Sequence, residues 1–196
     1  MLGTVIIGGG LRGLALAHNL QKQGREFALF EARERLGGRI LSVPAGGMML
    51  DLGPAWFWPK TQPRMNRLVA ELGLESYPQY DQGTVLNLND PDKAPVPYST
   101  DGVHDGAQRL VGGMASLIHG LAAKLPVDAL HLGYVLTDVI EHRGYVELNF
   151  RCGESTHTVM AERVIFTVPP RVLEEHVRFE PPLDESLRQS MRATYT

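Results

Sequence analysis

Three glycines near the start of the chain have the spacing of a phosphate-binding turn. Gly8, Gly10 and Gly13 follow an apolar run, Val5–Ile7, and a helical pattern comes directly after them. A strand, a G-x-G-x-x-G turn and a helix together hold the pyrophosphate of a dinucleotide. The first glycine permits a sharp turn, the second lets a phosphate approach the backbone, and the third lets the helix pack against the strand. The chemistry that this stretch predicts is therefore dinucleotide binding.

The residues on either side of this turn fit the same ligand. The N–H groups of the first helical turn, near Leu11 and Arg12, are expected to face the phosphates, where the positive end of the helix dipole adds to the attraction. Glu31 ends the second predicted strand and follows Gly13 at about the 20-residue spacing at which a carboxylate binds a ribose hydroxyl. A glycine-rich turn of some other α/β protein is the alternative interpretation of the glycines alone, and Glu31 argues against it.

Positioning these residues requires a sheet with helices, and the hydrophobic pattern predicts one. Leu11–Gln23 has the spacing of a helix that stops at Gly24, and Phe27–Phe30 reads as a short buried strand. The stretch 77–105 contains several prolines and asparagines, which indicate turns and short edge strands. Further apolar patterns predict helices at 63–72 and 114–121, and strands at 135–140, 145–150, 157–160 and 161–168.

Composition narrows the class of protein. Of the 196 residues, 43% are hydrophobic and 21% are charged, so we expect a packed soluble core. The net charge of −3 and the lack of a basic block argue against nucleic acid as a partner. No apolar run is long enough for a membrane span and no signal peptide precedes the first strand, so a cytoplasmic location is expected. The single cysteine, Cys152, excludes an internal disulfide, and the histidines lack the spacing of a metal site.

The segment after the second predicted strand carries a family resemblance. The string Glu-Ala-Arg-Glu-Arg-Leu-Gly-Gly-Arg-Ile at 31–40 resembles the corresponding segment of the flavin-containing amine oxidases. It is similar more broadly to the superfamily that includes protoporphyrinogen oxidase and phytoene desaturase. The resemblance implies FAD, because ordinary nicotinamide dehydrogenases do not carry Gly-Gly-Arg here, and it implies that Glu31 binds the adenosine ribose. The residues that would then lie along the cofactor, near its ribose and phosphates, are Ala32, Arg33, Gly38 and Arg39.

A second stretch of the same resemblance is the turn that starts at Asp51. The family has an acid-x-Gly-x-x-aromatic turn here, whose backbone approaches the flavin ring. The resemblance implies that Gly53, Pro54, Ala55 and Trp56 contact FAD. Pro54 replaces a second glycine that is often seen there, which removes one backbone donor. For Trp56 the alternative is ordinary packing of a large apolar side chain.

Four side chains near these segments have simpler interpretations. For Arg33 and Arg35 the alternative to cofactor contact is a solvated loop face. Phe57 is interpreted as core packing. Arg109 precedes a glycine pair, and a surface ion pair is favoured for it over contact with the flavin side.

The later strands resemble the three-stranded meander and the final parallel strand of the FAD-binding fold. Val135 matches the position whose backbone meets adenine. Val168 and Pro169 close the final strand at the cofactor end of the sheet, where ligands of open α/β sheets bind. Phe179–Leu183 resembles the family's Phe-x-Pro-Pro-Leu segment, which marks the start of the substrate domain.

The resemblance spans nearly the whole chain but only about the first half of a typical family member. It implies an α/β fold, a Rossmann-like FAD-binding domain with a parallel sheet, helices and a three-stranded β-meander, plus a small partial substrate-domain segment. The predicted FAD-binding parts are 1–76 and 109–178. A reduced substrate-domain insertion is predicted at 77–108, and the start of an otherwise absent substrate domain at 179–196.

The resemblance also implies a reaction. Hydride would pass from a C–H bond beside an amine to flavin N5, and dioxygen would reoxidise the flavin. The substrate would be an amine-like small molecule, and no residue stands out as a general base, so the catalytic residues stay unassigned. Two other classes stay open: an NAD(P)-binding dehydrogenase, and an FAD-binding half that is non-catalytic, truncated, or completed by a missing C-terminal half or a partner chain.

Overall fold

The computed structural model describes residues 1–80, 82–99 and 104–194. Contacts divide the chain into two units, one formed by Met1–Leu41 with the chain from Ile118 onward, the other by Ser42–Leu117. The strands are β1 (Leu2–Ile7), β2 (Ala28–Glu31), β3 (Ser42–Ala45), β4 (Met48–Asp51), β5 (Ser76–Pro78), β6 (Thr84–Asn87), β7 (Val96–Ser99), β8 (Gln108–Leu110), β9 (Leu130–Leu132), β10 (Val135–His142), β11 (Tyr145–Cys152), β12 (Ser155–Phe166) and β13 (Arg178–Glu180). The helices are α1 (Leu11–Lys22), α2 (Pro63–Glu71), α3 (Ala115–Ala122), α4 (Pro170–His176) and α5 (Glu185–Arg192), with a 3₁₀ turn at Val127–Ala129.

The first unit is built on one seven-stranded sheet. Its strand order is β13-β10-β11-β12-β1-β2-β9. β12, β1, β2 and β9 run parallel to one another, whereas β10, β11 and the first half of β12 form an antiparallel meander. Parallel strands are covered on both faces and therefore read as continuous apolar runs, as the buried residues of β1 and β2 do. The predicted Rossmann-like sheet with a three-stranded meander is confirmed.

The last strand of the meander differs from its prediction. The runs 157–160 and 161–168 were expected as two strands, but β12 is one continuous strand of 12 residues. Its first half pairs with β11 and its second half with β1. Ala161 is the residue at which the pairing changes, since it is opposite Val146 on one side and Leu2 on the other. Ala161 is fully buried, so its small side chain fits between the two layers.

The two faces of the parallel strands are covered differently. One face contributes Val5, Ile7 and Phe30 to a core completed by meander residues such as Leu148 and Phe150. The opposite face packs against α1, whose apolar residues Leu14 and Ala17 are fully buried. α1 has 12 residues, and none of the helices in the described ranges is long and apolar enough to cross a membrane.

In its described residues, the second unit has three short antiparallel strand pairs, the helix α2 and the first turn of α3. β3 pairs with β4, β5 with β8, and β6 with β7. The pair β6–β7 lies within 77–105, the stretch for which turns and short edge strands are predicted. α2 begins at Pro63, where a missing N–H costs nothing in the first helical turn. Phe57 is 1% exposed, and its backbone exchanges two hydrogen bonds with Gln108, at 2.9 and 2.8 Å. The interpretation of Phe57 as core packing is therefore confirmed.

A stack of aromatic rings in the first unit lies beside the end of β2. The rings of His131 and Phe30 are stacked with centroids 4.5 Å apart, and Phe30 stacks in turn on Phe150 at 4.5 Å. The ring of Tyr134 meets Phe30 at its edge, at 5.4 Å. Burial lowers the pKa of His131, although the nearby charge of Asp128 partly opposes this. The neutral imidazole is therefore favoured in the folded protein.

The pKa of His131 leads to a prediction about stability. Because this pKa is lower in the folded chain than its ordinary value of 6.5, the unfolded chain binds more protons below that pH. The free energy of unfolding should therefore fall as the pH drops below 6.5. His131→Phe keeps a stacked ring without a titrating group, so its stability should depend less on pH. Urea unfolding of both proteins between roughly pH 8 and pH 5.5 measures this, and identical pH dependence would contradict the prediction.

Candidate cofactor-binding site

The first glycine turn joins β1 to α1. Gly8 has a φ of +109°, a conformation that glycine adopts without strain. An added Cβ at Gly8 would lie 2.8 Å from Thr167 Oγ1, and a Cβ at Gly13 would overlap the carbonyl oxygen of Gly8. The N–H of Gly8 donates to the Phe30 carbonyl at 2.8 Å and so ties the turn to β2. The fold itself therefore requires glycine at positions 8 and 13.

Gly10 differs because the protein leaves space beside it. Its φ of −77° and ψ of −179° suit any residue. Among the described residues, the atom nearest to an added Cβ would be Gly38 Cα, at 3.9 Å. The fold alone thus does not require glycine at position 10. A phosphate that approaches the backbone closely would require it, because a side chain would occupy the same space. The residues present fit a dinucleotide at this turn.

The start of α1 adds positive potential at the same place. Its first turn contains no acidic residue, and no side chain caps its N-terminus. The N–H groups of Leu11, Arg12 and Gly13 have no acceptor within the helix, and the helix dipole favours an anion there. Arg12 is exposed and makes no hydrogen bond or ion pair within the part of the chain that the structure describes. These features suit a pyrophosphate.

Glu31 lies at the carboxyl end of β2 and is only 8% exposed. Its Oε2 accepts the N–H of Gly9 at 2.6 Å, and its Oε1 accepts the N–H of Arg33 at 3.0 Å. Each carboxylate oxygen can accept a second hydrogen bond. The backbone therefore holds Glu31 in place while leaving it capacity for the ribose hydroxyls that the sequence predicts as its ligands.

The glycine pair at positions 37 and 38 packs on the first turn. The N–H of Gly37 donates to the Gly9 carbonyl at 2.8 Å. Gly37 and Gly38 have φ values of +111° and +58°, and a Cβ at Gly38 would lie 3.3 Å from Gly10 Cα. The family signature Gly-Gly-Arg thus has a structural cause in this chain. The positive φ values favour glycine at both positions, and a Cβ at Gly38 would press on the Gly10 backbone.

The arginines of the loop after β2 have different surroundings. Arg35 is half-buried and donates to loop carbonyls, including that of Gly38 at 3.0 Å, so it holds the loop together. Arg33 is exposed, as is Ala32, and its guanidinium donates to the Gly38 carbonyl at 3.3 Å. Arg39 is exposed and has no hydrogen-bond or ion-pair partner in the described ranges. Arg33 and Arg39 are therefore accessible to an anion, and Arg35 is committed to the loop.

Two later residues of the predicted site lie beside the same turn. The residue before Val135 donates its N–H to the Glu31 carbonyl at 3.0 Å. Pro169 follows Val168, whose Cγ1 would lie 2.8 Å from a Cβ at Gly8. The structure thus brings Val135 and Pro169 to the carboxyl edge of the parallel strands, together with Gly8 and Glu31.

The aspartate turn belongs to the second unit, and its carboxylate caps a helix. Asp51 Oδ1 accepts the Ser42 hydroxyl at 2.5 Å and the N–H of Met114 at 2.9 Å. Ser42 Oγ in turn accepts the N–H of Ala115 at 3.1 Å. These bonds satisfy donors at the start of α3, which have no acceptor within the helix. The sequence gives no sign of this cap, because 63 positions separate Asp51 from Met114.

Trp56, which follows this turn, is packed between two side chains of the second unit. Its ring meets His104 edge to face, with centroids 4.8 Å apart, and the Arg109 guanidinium lies 5.4 Å from its centroid. Arg109 also donates to Gln79 Oε1, and its predicted surface ion pair stays a prediction. Of the other turn residues with a predicted flavin role, Gly53 and Pro54 are exposed and Ala55 is half-buried.

Two residues that the sequence pattern did not single out take part in the hydrogen bonds of this turn. Gly9 bonds to Glu31 through its N–H and to Gly37 through its carbonyl. Thr167 bonds to the Gly8 carbonyl from the end of β12. Gly9 occupies a variable position of G-x-G-x-x-G. In the sequence, only the run of three consecutive glycines indicates that this position is unusual.

Comparison with known families narrows the ligand that this turn would hold. Residues 6–72 match the NAD(P)-binding Rossmann-like domain. Residues 95–196, more than half of the chain, match the family described as flavin containing amine oxidoreductase. This chain belongs to the flavin-containing amine oxidoreductase family. Membership implies FAD as the cofactor, so the predicted cofactor and the family resemblance are confirmed.

Curated relatives of the chain match it over limited lengths. Putrescine oxidase of Kocuria rosea is 36% identical over 124 residues, which are 62% of this chain and 26% of that protein. A probable flavin-containing monoamine oxidase A of Dictyostelium discoideum is 40% identical over 87 residues, 44% of this chain and 19% of the relative. Flavin-containing amine oxidase B of Homo sapiens is 42% identical over 75 residues, 38% of this chain and 14% of the relative.

Solved structures share the fold over almost the whole chain. Putrescine oxidase bound to putrescine superimposes with a TM-score of 0.81 at 19% identity, covering 97% of this chain and 63% of that one. Cyclohexylamine oxidase from Brevibacterium oxydans gives a TM-score of 0.78 at 17% identity with the same coverage. These similarities confirm the fold class. The chain spans 63% of the length of these solved proteins.

The space beside Gly10 generates a prediction. Gly10→Val should fold, because the protein leaves room for a side chain, but it should not retain FAD, because that side chain fills the phosphate position. Gly3→Ala is the matched control, since its Cβ would meet only the Glu26 carbonyl oxygen, at 3.6 Å. Thermal unfolding of the apoproteins and FAD titration test both variants. A Gly10→Val protein with normal FAD affinity would refute the assignment of the turn.

The hydrogen bonds of Glu31 lead to a second prediction about FAD binding. Glu31→Gln replaces one acceptor oxygen by an NH₂ group that faces a backbone N–H. The apoprotein should lose about 1–3 kcal/mol of unfolding free energy, and FAD should bind more weakly. Glu154→Gln, in the exposed turn between β11 and β12, is the control that should change neither. Unchanged FAD affinity in Glu31→Gln would count against a ribose contact.

Proposed function

We propose that this protein is an FAD-dependent oxidoreductase that oxidises an amine-type small molecule. When bound, FAD would accept hydride at N5 from the C–H bond beside the amine nitrogen, and dioxygen would take up the electrons to give peroxide. The observation that carries the proposal is the family match over residues 95–196. The relatives support it, because the names of putrescine oxidase and the amine oxidases describe enzymes that act on amines.

The first unit would hold the nucleotide end of FAD. We propose that the backbone at Gly8, Gly10 and Gly13 and the first turn of α1 bind the pyrophosphate, with Arg12 beside it. The support is the open space at Gly10 and the uncapped helix start. Glu31 would accept hydrogen bonds from the ribose hydroxyls, because it is buried, fixed by two N–H groups and still able to accept more.

The remaining cofactor contacts are proposed on the family resemblance. Ala32, Arg33, Gly38 and Arg39 would line the ribose and phosphates, for which the exposed guanidinium groups are suited. Val135 would meet adenine, and Pro169 would lie at the cofactor end of β12. The backbone of residues 53–56 would approach the flavin ring. The predicted domain boundaries, 1–76, 77–108, 109–178 and 179–196, and the cytoplasmic location stay predictions.

A second candidate is a chain that binds FAD but does not oxidise amines on its own. The observation that supports this candidate is an unpaired edge of β12. Residues 161–166 pair with β1, whereas β11 pairs only with residues 155–161. Within the described ranges, the other edge of 162–166 therefore has no strand beside it, and an unpaired edge of this kind is a template for a strand from a further segment or a partner.

Absorption and peroxide assays separate these functions. The protein is purified, mixed with FAD, and freed of unbound cofactor, with Gly10→Val as the FAD-deficient control. The proposal predicts the absorption bands of oxidised flavin, their loss when an amine is added without oxygen, and peroxide when oxygen returns. Putrescine, cyclohexylamine and benzylamine serve as probes of diamine, cyclic and aromatic amines.

Each outcome favours one function. Flavin bands that no amine bleaches would favour the second candidate. A colourless protein that binds NAD(P) instead of FAD would contradict both and support a dehydrogenase. Bleaching in the wild-type protein and none in Gly10→Val would support the amine oxidase.

A further inference from the structure

Thr167 links the last strand of the sheet to the first glycine turn. It directly follows β12 and lies 159 positions from Gly8 along the chain. Its backbone N–H donates to the Ile7 carbonyl at 2.9 Å. Its hydroxyl lies 2.9 Å from the same carbonyl oxygen and 3.0 Å from that of Gly8, so its single hydrogen is shared between two acceptors.

The Thr167 side chain occupies the space that two of the motif glycines leave open. A Cβ at Gly8 would lie 2.8 Å from Thr167 Oγ1, and a Cβ at Gly13 would lie 2.9 Å from it. Both distances are shorter than any ordinary contact between a methyl group and an oxygen. A side chain at the first or the third glycine would therefore clash with this hydroxyl, and at the third it would also clash with the Gly8 carbonyl oxygen.

The hydroxyl fixes the orientation of the peptide group between Gly8 and Gly9. In a trans peptide the carbonyl and the following N–H point in opposite directions. With the Gly8 carbonyl directed at Thr167, the Gly9 N–H points the other way, where it donates to Glu31 Oε2 at 2.6 Å. Thr167 and Glu31 thus hold the two ends of one peptide group.

We infer that Thr167 is a positioning residue for FAD, acting through the Gly8–Gly9 peptide. By fixing this peptide it sets the path of the backbone into Gly10, the position at which the protein leaves room for a phosphate. It also orients the carboxylate proposed to bind the ribose. This role rests on the assignment of FAD to the turn, and no acid–base part in the reaction is required of Thr167.

The test compares variants with and without the hydroxyl. Thr167→Val replaces the hydroxyl by a methyl group, Thr167→Ala removes it without placing a methyl group beside the two carbonyl oxygens, and Thr167→Ser keeps it. Thr137→Val is the matched control, because the Thr137 hydroxyl also bonds a strand carbonyl, that of Asn149 at 3.0 Å, but lies in the meander. FAD affinity is measured by titration, and amide hydrogen exchange of residues 8–14 is measured in the apoproteins.

Thr167→Val should weaken FAD binding by about fivefold or more, the effect of losing one oriented hydrogen bond, and should speed exchange in the glycine turn. Thr167→Ser should bind FAD within about twofold of wild type. Thr137→Val should lower the stability of the protein but leave FAD affinity unchanged. If destabilisation alone weakened FAD binding, Thr137→Val would weaken it too. If Thr167→Val does not fold, Thr167→Ser and Thr167→Ala form the same comparison.

Equal FAD affinity in Thr167→Val and wild type would overturn the inference. A loss of FAD affinity in Thr137→Val as large as that in Thr167→Val would also overturn it. If wild type itself binds no FAD, the assignment of the cofactor fails instead. The exchange measurement still tests Thr167 in that case, because it needs no ligand. If exchange at residues 8–14 were the same in Thr167→Val and in wild type, the role of Thr167 in fixing the glycine turn would be refuted.

Discussion

The structure depends on the two backbone hydrogen bonds of Gly9. Its N–H donates to the Glu31 carboxylate at 2.6 Å, and its carbonyl accepts the Gly37 N–H at 2.8 Å. These bonds join the turn after β1, the end of β2 and the loop after β2 within a single residue. The approach is possible because glycines stand on both sides of it, and a Cβ at Gly9 itself would lie 2.6 Å from Leu36. The turn that is proposed to bind FAD is therefore shaped by hydrogen bonds among these three segments.

Sheet topology explains why these loops meet. The carboxyl ends of parallel neighbours lie at one edge of a sheet, so the segments after β1, β2 and β12 converge there. β12 reaches this edge only because it continues past the meander without a break at Ala161. The same continuity delivers Thr167 to the first turn. The strand that joins the meander to β1 thus also places a side chain against the backbone of the glycine turn.

Local signals in the sequence predicted much of this, and long-range contacts account for what they missed. The glycine spacing and Glu31 identified the turn and its acid, because both features are set by neighbours in the chain. Thr167 gave no signal, since its partner lies 159 positions away. The continuity of β12 was missed because Glu162 and Arg163 interrupt its apolar pattern, and both are exposed in the strand. The contact of Arg109 with the ring of Trp56 also gave no local signal, because it depends on tertiary packing.

Hydrogen exchange of the wild-type protein with and without FAD tests the central claim most directly. FAD should slow exchange at residues 8–14 and 31–39, the segments that the bonds of Gly9 hold together. Exchange in the hairpin between β10 and β11, which lies outside the proposed site, should stay the same. Saturating FAD that leaves both segments unprotected, or that protects only other parts of the chain, would contradict the placement of the cofactor.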